Sequence, residues 1–166
     1  MIEETISSWM SERPDLDFAP MALVLRLGSI AKIGIERTEQ ALAPLGITVG
    51  EFDVLATIRR HGAGAELTPS ALAELTLISQ SGLTNRIRRL TDAGLLTRRV
   101  NDSDKRSFAL RLTAKGTKTT DKGIAIVAAL DTEFMKVLSR ASTSSLKKTL
   151  DELLIAIDES SLSTDQ

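Results

Sequence analysis

Hydrophobic positions recur along most of this chain at helical spacing. Ile2, Ile6, Trp9 and Met10 predict a short helix over residues 2–12, which Arg13-Pro14-Asp15 breaks. A long amphipathic helix is expected from about Pro20 to Ala43, ended by Pro44 and Gly46. Thr48-Val49-Gly50-Glu51 carries the capping-box pattern, in which the Thr hydroxyl and the Glu carboxylate each satisfy a backbone N–H of the other. The helix it starts is predicted to run to about Arg60, followed by the loop His61-Gly62-Ala63-Gly64. Thr68-Pro69 opens another helix, with Thr as N-cap and Pro where a missing N–H is harmless, and this helix ends near Leu75. Ser79 is the next N-cap, before a helix from Gln80 to about Ala93 that Gly94 stops.

The period then changes. Phe108, Leu110 and Leu112 alternate with Ser107, Ala109 and Arg111, which predicts a strand from Ser107 to Leu112 paired with one from Leu96 to Val100. The connection from Asn101 to Arg106 is polar and charged. Thr113 caps a long helix to about Leu138, and a last helix is expected from about Ser142 to Asp158 before a polar tail. Three segments are expected: residues 1–46 with the N-terminal helices, 47–116 with the short helices and hairpin, and 117–166 with the C-terminal helices.

Two short helices, a tight turn and a two-stranded hairpin make a winged helix-turn-helix, so the expected fold is mainly α with a two-stranded β wing. Its second helix has the size to enter a major groove of duplex DNA. On that helix Leu83, Ile87 and Leu90 fall within about 40° of one another at 100° per residue and form the buried stripe. The opposite side carries Ser81, Thr84, Asn85, Arg88 and Arg89, a set suited to base edges and phosphates. Gln80 and Ser81 stand at the helix N-terminus, where backbone N–H groups favour a phosphate. Thr68, the N-cap of the helix before it, is a further DNA-binding candidate. Lys105 and Arg106 are candidates for the wing tip, with Asp104 placed to pair with Arg106 and aim it.

Composition sharpens this picture. The chain is 42% hydrophobic with mean hydropathy +0.02, has no cysteine and has one histidine, His61. Disulfides, thiolate metal sites and cysteine nucleophiles are excluded. No phosphate-binding glycine loop, histidine-based metal spacing or nucleophile with a credible base is present, so an enzyme is not expected, and neither is a cofactor. The acidic N-terminus does not read as a signal peptide, and no apolar run approaches the ~20 residues of a membrane span. The expected location is the cytoplasm, at the nucleoid. The net charge of -1 does not by itself mark a nucleic-acid binder. Between Gln80 and Arg111, however, eight basic residues stand against three acids (Asp92, Asp102, Asp104). A basic patch on an acidic body concentrates nucleic-acid affinity on one face.

The motifs carry a more specific likeness. Asp104-Lys105-Arg106, five residues, then Leu112-Thr113-Ala114-Lys115-Gly116 resembles the wing signature of the MarR family of bacterial regulators. The stretch from Leu90 to Leu96 resembles the end of that family's recognition helix, and the similarity extends from about Met21 to Ile157. The resemblance implies that the outer helices build a homodimer and that each subunit reads one half-site of a pseudo-palindrome. The apolar stripes of the long helices agree with a dimer and equally with a monomer core.

Arg86 stands apart on the reading helix. It lies about 60° from the centre of the buried stripe, so it does not point squarely at DNA. A guanidinium beside a buried face calls for an anionic partner, for instance Asp53 on the helix that starts at Thr48, or a ligand. Trp9, Asp53, Arg86 and Arg98 together resemble the set found in the PecS-type, urate-responsive group of the family. The resemblance implies that these four bind a small anionic aromatic effector, with urate favoured and a phenolic or heteroaromatic acid as the rival. Trp9 would stack on it or donate from its indole N–H, the two arginines would neutralise it, and Asp53 would be displaced. Taken singly, Trp9 fits simple packing and Arg98 fits a phosphate contact. The function these features imply is a ligand-responsive DNA-binding repressor. The alternatives are a regulator with another effector and a DNA-binding module with none.

Overall fold

The computed structural model describes the backbone of residues 1–76, 80–101 and 104–162, and the side chains of residues 1–76, 82–99 and 108–158. Among them are seven helices and one two-stranded antiparallel sheet. In chain order these are α1 (Ile2–Glu12), α2 (Ala19–Leu42), a short 3-10 turn (Ala43–Leu45), α3 (Val49–Arg60), α4 (Pro69–Leu75), α5 (Gln80–Asp92), β1 (Leu96–Asn101), β2 (Asp104–Leu112), α6 (Ala114–Met135) and α7 (Arg140–Leu162). The chain divides into two compact units, residues 1–127 and 128–166. No single helix among the described residues is long and apolar enough to cross a membrane.

Local chemistry sets the helix ends of the first unit. Arg13 binds Asp15 through two hydrogen bonds of 2.8 and 2.7 Å just after α1, and the guanidinium holds the Asp15 carboxyl below its ordinary range. Asp17 accepts the Ala19 N–H at the start of α2, and Gly46 takes the left-handed conformation (φ 70°) that ends the 3-10 turn. The capping box of α3 is formed: Glu51 N–H donates to the Thr48 hydroxyl at 3.2 Å, and Thr48 N–H donates to Glu51 Oε2 at 2.9 Å. Thr68 caps α4 by accepting from the Ala71 N–H at 3.2 Å. After α5, Gly94 (φ 69°) lets its own N–H reach Thr91 O and the Leu95 N–H reach Leu90 O, a Schellman closure. The Ser79 cap expected for α5 lies outside the described residues.

One core joins the short helices to the hairpin. Val54, Leu55 and Ile58 of α3, Leu72 of α4, Leu83, Ile87 and Leu90 of α5, and Leu96 and Leu110 of the sheet are buried together with Leu42 and Ile47. The stripe read on α5 therefore faces inward. Truncating a leucine buried this fully costs about 2–5 kcal/mol.

The hairpin departs from its expected length. β2 begins at Asp104 and pairs Asn101 with Asp104 across an irregularity after Val100. Asp104, Lys105 and Arg106 therefore belong to a strand and not to a loop. Polar residues are compatible with a ribbon whose outer end has no core to cover, so their polarity did not signal the strand. Beyond Val100 the register runs Leu96 with Leu112 and Arg98 with Leu110, and Leu67 bridges to Leu110 through two backbone hydrogen bonds of 3.1 and 2.8 Å. That bridge ties the sheet to the start of α4.

In the second unit, Ser139 caps α7, which begins two residues earlier and ends four residues later than the sequence suggests. α6 in turn stops at Met135, three residues short of Leu138.

Candidate nucleic-acid interface and adjoining cleft

α5 presents two distinct sides beyond its buried stripe. Thr84, Asn85 and Arg88 are exposed on one of them. Arg88 makes no ion pair or hydrogen bond with a described residue, so its guanidinium is available to an external anion. Thr68, exposed at the head of α4, uses its hydroxyl as a helix cap. The backbones of Gln80, Ser81, Asp104, Lys105 and Arg106 lie in α5 and β2. Their side chains, and so the expected Asp104–Arg106 pairing, lie outside the described residues.

Arg89, expected to face the groove beside Arg88, is exposed, and its Nε also stands 3.0 Å from Oε1 of Glu51 on α3. The Glu51 carboxylate is almost wholly buried, while the Arg89 side chain remains 64% exposed. The two residues are far apart in sequence, and no local pattern announces the pair.

The other side of α5 lines an open cleft of about 970 Å³ against α2 and α3. Glu39, Glu51, Asp53, Arg86 and Arg89 contribute its charged groups, and Phe52 part of its apolar wall. Arg86 and Asp53 both line this cleft, as half-buried residues on neighbouring helices. They form no ion pair with each other, so the expected internal salt bridge is not made. The Arg86 guanidinium instead lies over Gly50 in the first turn of α3, so close that a Cβ there would stand 2.4 Å from its Nε. The positive end of a helix dipole is no partner for a cation, so Arg86 is left with unused capacity for an anion. Next to it, the Val49 N–H is already occupied by Glu39 of α2 at 2.7 Å.

The structure does not bring all four expected effector residues to this cleft. Trp9 is stacked on Phe18, with ring centroids 6.1 Å apart and planes 24° apart, and remains 47% exposed. Arg98 lies on the hairpin with its guanidinium carbon 4.8 Å from the Phe108 ring centroid, a cation–π contact. Neither residue lines the cleft. His61 brings its Nδ1 2.7 Å from the Thr57 carbonyl one helical turn back and stays at the surface.

The Thr113-Ala114-Lys115-Gly116 run serves the scaffold. The Thr113 hydroxyl accepts from the Gly116 N–H at 2.9 Å, capping α6, and donates to Gly94 O at 2.7 Å. Lys115 Nζ donates to Ala93 O at 2.8 Å. A Cβ on Gly116 would lie 2.0 Å from Leu95 O, so only glycine permits this approach. The turn after the reading helix is thereby anchored to the start of α6.

Comparison with known proteins agrees with this architecture. Residues 45–107 match the model of the MarR family. The HTH-type transcriptional regulator PecS of Dickeya dadantii is 34% identical over 115 residues, covering 69% of each chain. A transcriptional repressor of Mycobacterium tuberculosis is 29% identical over 82% of this chain and 95% of its own. Among solved structures, a mutant of MarR from E. coli complexed with operator DNA superposes with TM-score 0.72 at 27% identity, covering 82% of this chain and 97% of that one. AbsC of Streptomyces coelicolor gives the same TM-score at 26% identity, covering 87% and 97%. A winged helix-turn-helix with this core and this degree of kinship makes the chain a member of the MarR family of transcriptional regulators.

Proposed function

We propose that this regulator is a repressor that binds a pseudo-palindromic DNA duplex as a homodimer and is released by a small anionic aromatic effector, with urate favoured. The observation that carries the DNA reading is the split on α5: Leu83, Ile87 and Leu90 are buried, while Thr84, Asn85 and Arg88 are exposed on the side proposed to meet base edges and phosphates. Each subunit reads one half-site, with the hairpin alongside in a minor groove or on the backbone. Leu23, Val24, Leu27 and Ile30 form an exposed apolar stripe on α2, and Leu153, Leu154 and Ile157 do so on α7. A second copy of the chain is the partner proposed to cover both stripes.

The effector reading is supported by Arg86, a half-buried guanidinium that makes no ion pair among the described residues, in a cleft between the reading helix and α3. An anion that draws on Arg86 acts directly on α5. Its effect on DNA affinity equals its preference for one conformation over the other. A second reading, a different aromatic acid, is favoured by the separation of Trp9 and Arg98 from Asp53 and Arg86. The deciding experiment titrates the DNA-bound protein with urate and a panel of phenolic and heteroaromatic acids. Release by urate at the lowest concentration supports the first reading. Release by another acid supports the second, and release by none leaves a regulator without such an effector.

A further inference from the structure

Glu51 is 3% exposed, yet both of its carboxylate oxygens are engaged. Oε2 accepts the Thr48 N–H at 2.9 Å and closes the capping box of α3. Oε1 faces Arg89 Nε of α5 at 3.0 Å. The cap alone does not require a charge, because glutamine serves at that position equally well. The negative charge matters to Arg89. Turning Arg89 away would strand a buried carboxylate without its counter-ion, an outcome strongly disfavoured in a protein interior.

Position on the helix gives this pair its consequence. At 100° per residue, Arg89 stands on the flank of α5, between the exposed side of Asn85 and Arg88 and the cleft side of Arg86. A tie at the flank resists rotation of the helix about its axis. With side-chain tips about 6 Å from the axis, a roll of about 20° moves each by about 2 Å. That displacement breaks a hydrogen bond to a base edge.

We infer that Glu51 is a positioning residue for DNA reading: through Arg89 it fixes the roll of α5 and so decides how Thr84, Asn85 and Arg88 enter the groove. Arg89 is accordingly a strut between α5 and α3 and makes no phosphate contact. This rests on the DNA-binding reading above and goes beyond it, because it assigns sequence specificity to a buried residue that does not touch DNA.

The test uses the full chain as wild type, E51Q, R89Q, the E51Q/R89Q double variant and R88Q. Binding is measured over a range of salt to a duplex that the wild type selects from a random pool and to a scrambled duplex. E51Q and R89Q should each lower the preference for the selected duplex about tenfold. The salt slope and the scrambled-duplex affinity should stay as in the wild type. The double variant should be no worse than either single one, because both remove the same tie. R88Q, by contrast, should make the salt slope shallower by about one, as a lost phosphate contact does. A similar change of slope in R89Q overturns the inference, as do independent effects that multiply in the double variant. Equal loss of both duplexes in step with a loss of folded protein on thermal melting also overturns it, since the pair would then be structural only. A wild type that binds the scrambled duplex as well as the selected one fails at the DNA-reading premise itself. Thermal stability measured without DNA across the same four-protein cycle would still report whether Glu51 and Arg89 are coupled.

Discussion

Arg86 occupies the space that a side chain on residue 50 would fill. A Cβ on Gly50 would stand 2.4 Å from Arg86 Nε and 2.8 Å from Cζ. Glycine in the first turn of α3 thus sets where the guanidinium rests in the cleft. The obstructing atoms lie at the end of a long flexible side chain, so Gly50→Ala should move Arg86 without dismantling the fold. Alanine also gains up to about 1 kcal/mol in helix propensity. The expected result is a melting temperature within a few degrees of wild type, with the effector concentration needed for DNA release raised about tenfold. An unchanged response would mean that the position of Arg86 does not govern the effector.

Gly116→Ala is the opposite case. The obstacle is Leu95 O at 2.0 Å, a backbone atom in the turn that Gly94 and Thr113 hold from two sides. Backbone cannot step aside as a side-chain tip does. Destabilisation of about 1–3 kcal/mol or more is expected from overpacking, read as a lowered melting temperature. Lys115→Met, which removes the bond to Ala93 O at an exposed helix end, should cost less than Gly116→Ala. A Gly116→Ala protein as stable as wild type would show that α6 can slide off the turn.

These two glycines mark the limit of what the sequence makes legible. Features that depend on neighbours in the chain were readable. The Thr48–Glu51 capping box, the Thr68 cap, the Gly94 stop and the Leu83–Ile87–Leu90 stripe each follow from spacing within a few residues. Features made across the fold were not readable. Arg89 fits an outward position on a helical wheel, and only the packing of α5 on α3 brings it to Glu51. The Thr113-to-Gly116 run was legible as a family signature, while its work at Ala93, Gly94 and Leu95 depends on how α6 meets the turn. Trp9 belonged to an apolar stripe, and the stripe does not say that its ring meets Phe18.

Trp9 is the chain's one tryptophan, so its emission reports on one place. In the absence of ligand it is half exposed against Phe18. If the effector engages Trp9, adding urate should change the emission, after correction for absorbance by urate, with the same midpoint as release of DNA. Arg86→Gln should abolish both signals together. Emission that stays constant while DNA is released would confine Trp9 to packing and leave Asp53 and Arg86 as the ligand-facing residues. In that case Trp9→Phe should respond like wild type.

The apolar stripe on α2 supplies the test of assembly. Leu23, Val24 and Ile30 are each about two-thirds exposed on a single chain, an unusual state for three neighbouring large aliphatic side chains. If a second copy covers them, Ile30→Asp places a charge in a dry contact, and the protein should elute in light scattering near the chain mass of 17.9 kDa rather than twice that. Lys32→Ala, on the opposite side of the same helix, should remain dimeric. The core of α3, α4, α5 and the hairpin is buried within one chain, so the variant should keep its helical circular dichroism. It should still lose about a hundredfold or more in affinity for a palindrome, because two half-sites are no longer engaged by one linked pair of reading helices. An Ile30→Asp protein that stays dimeric at micromolar concentration would exclude the α2 stripe as the assembly surface. The α7 stripe would then be the next to test, with Leu154→Asp.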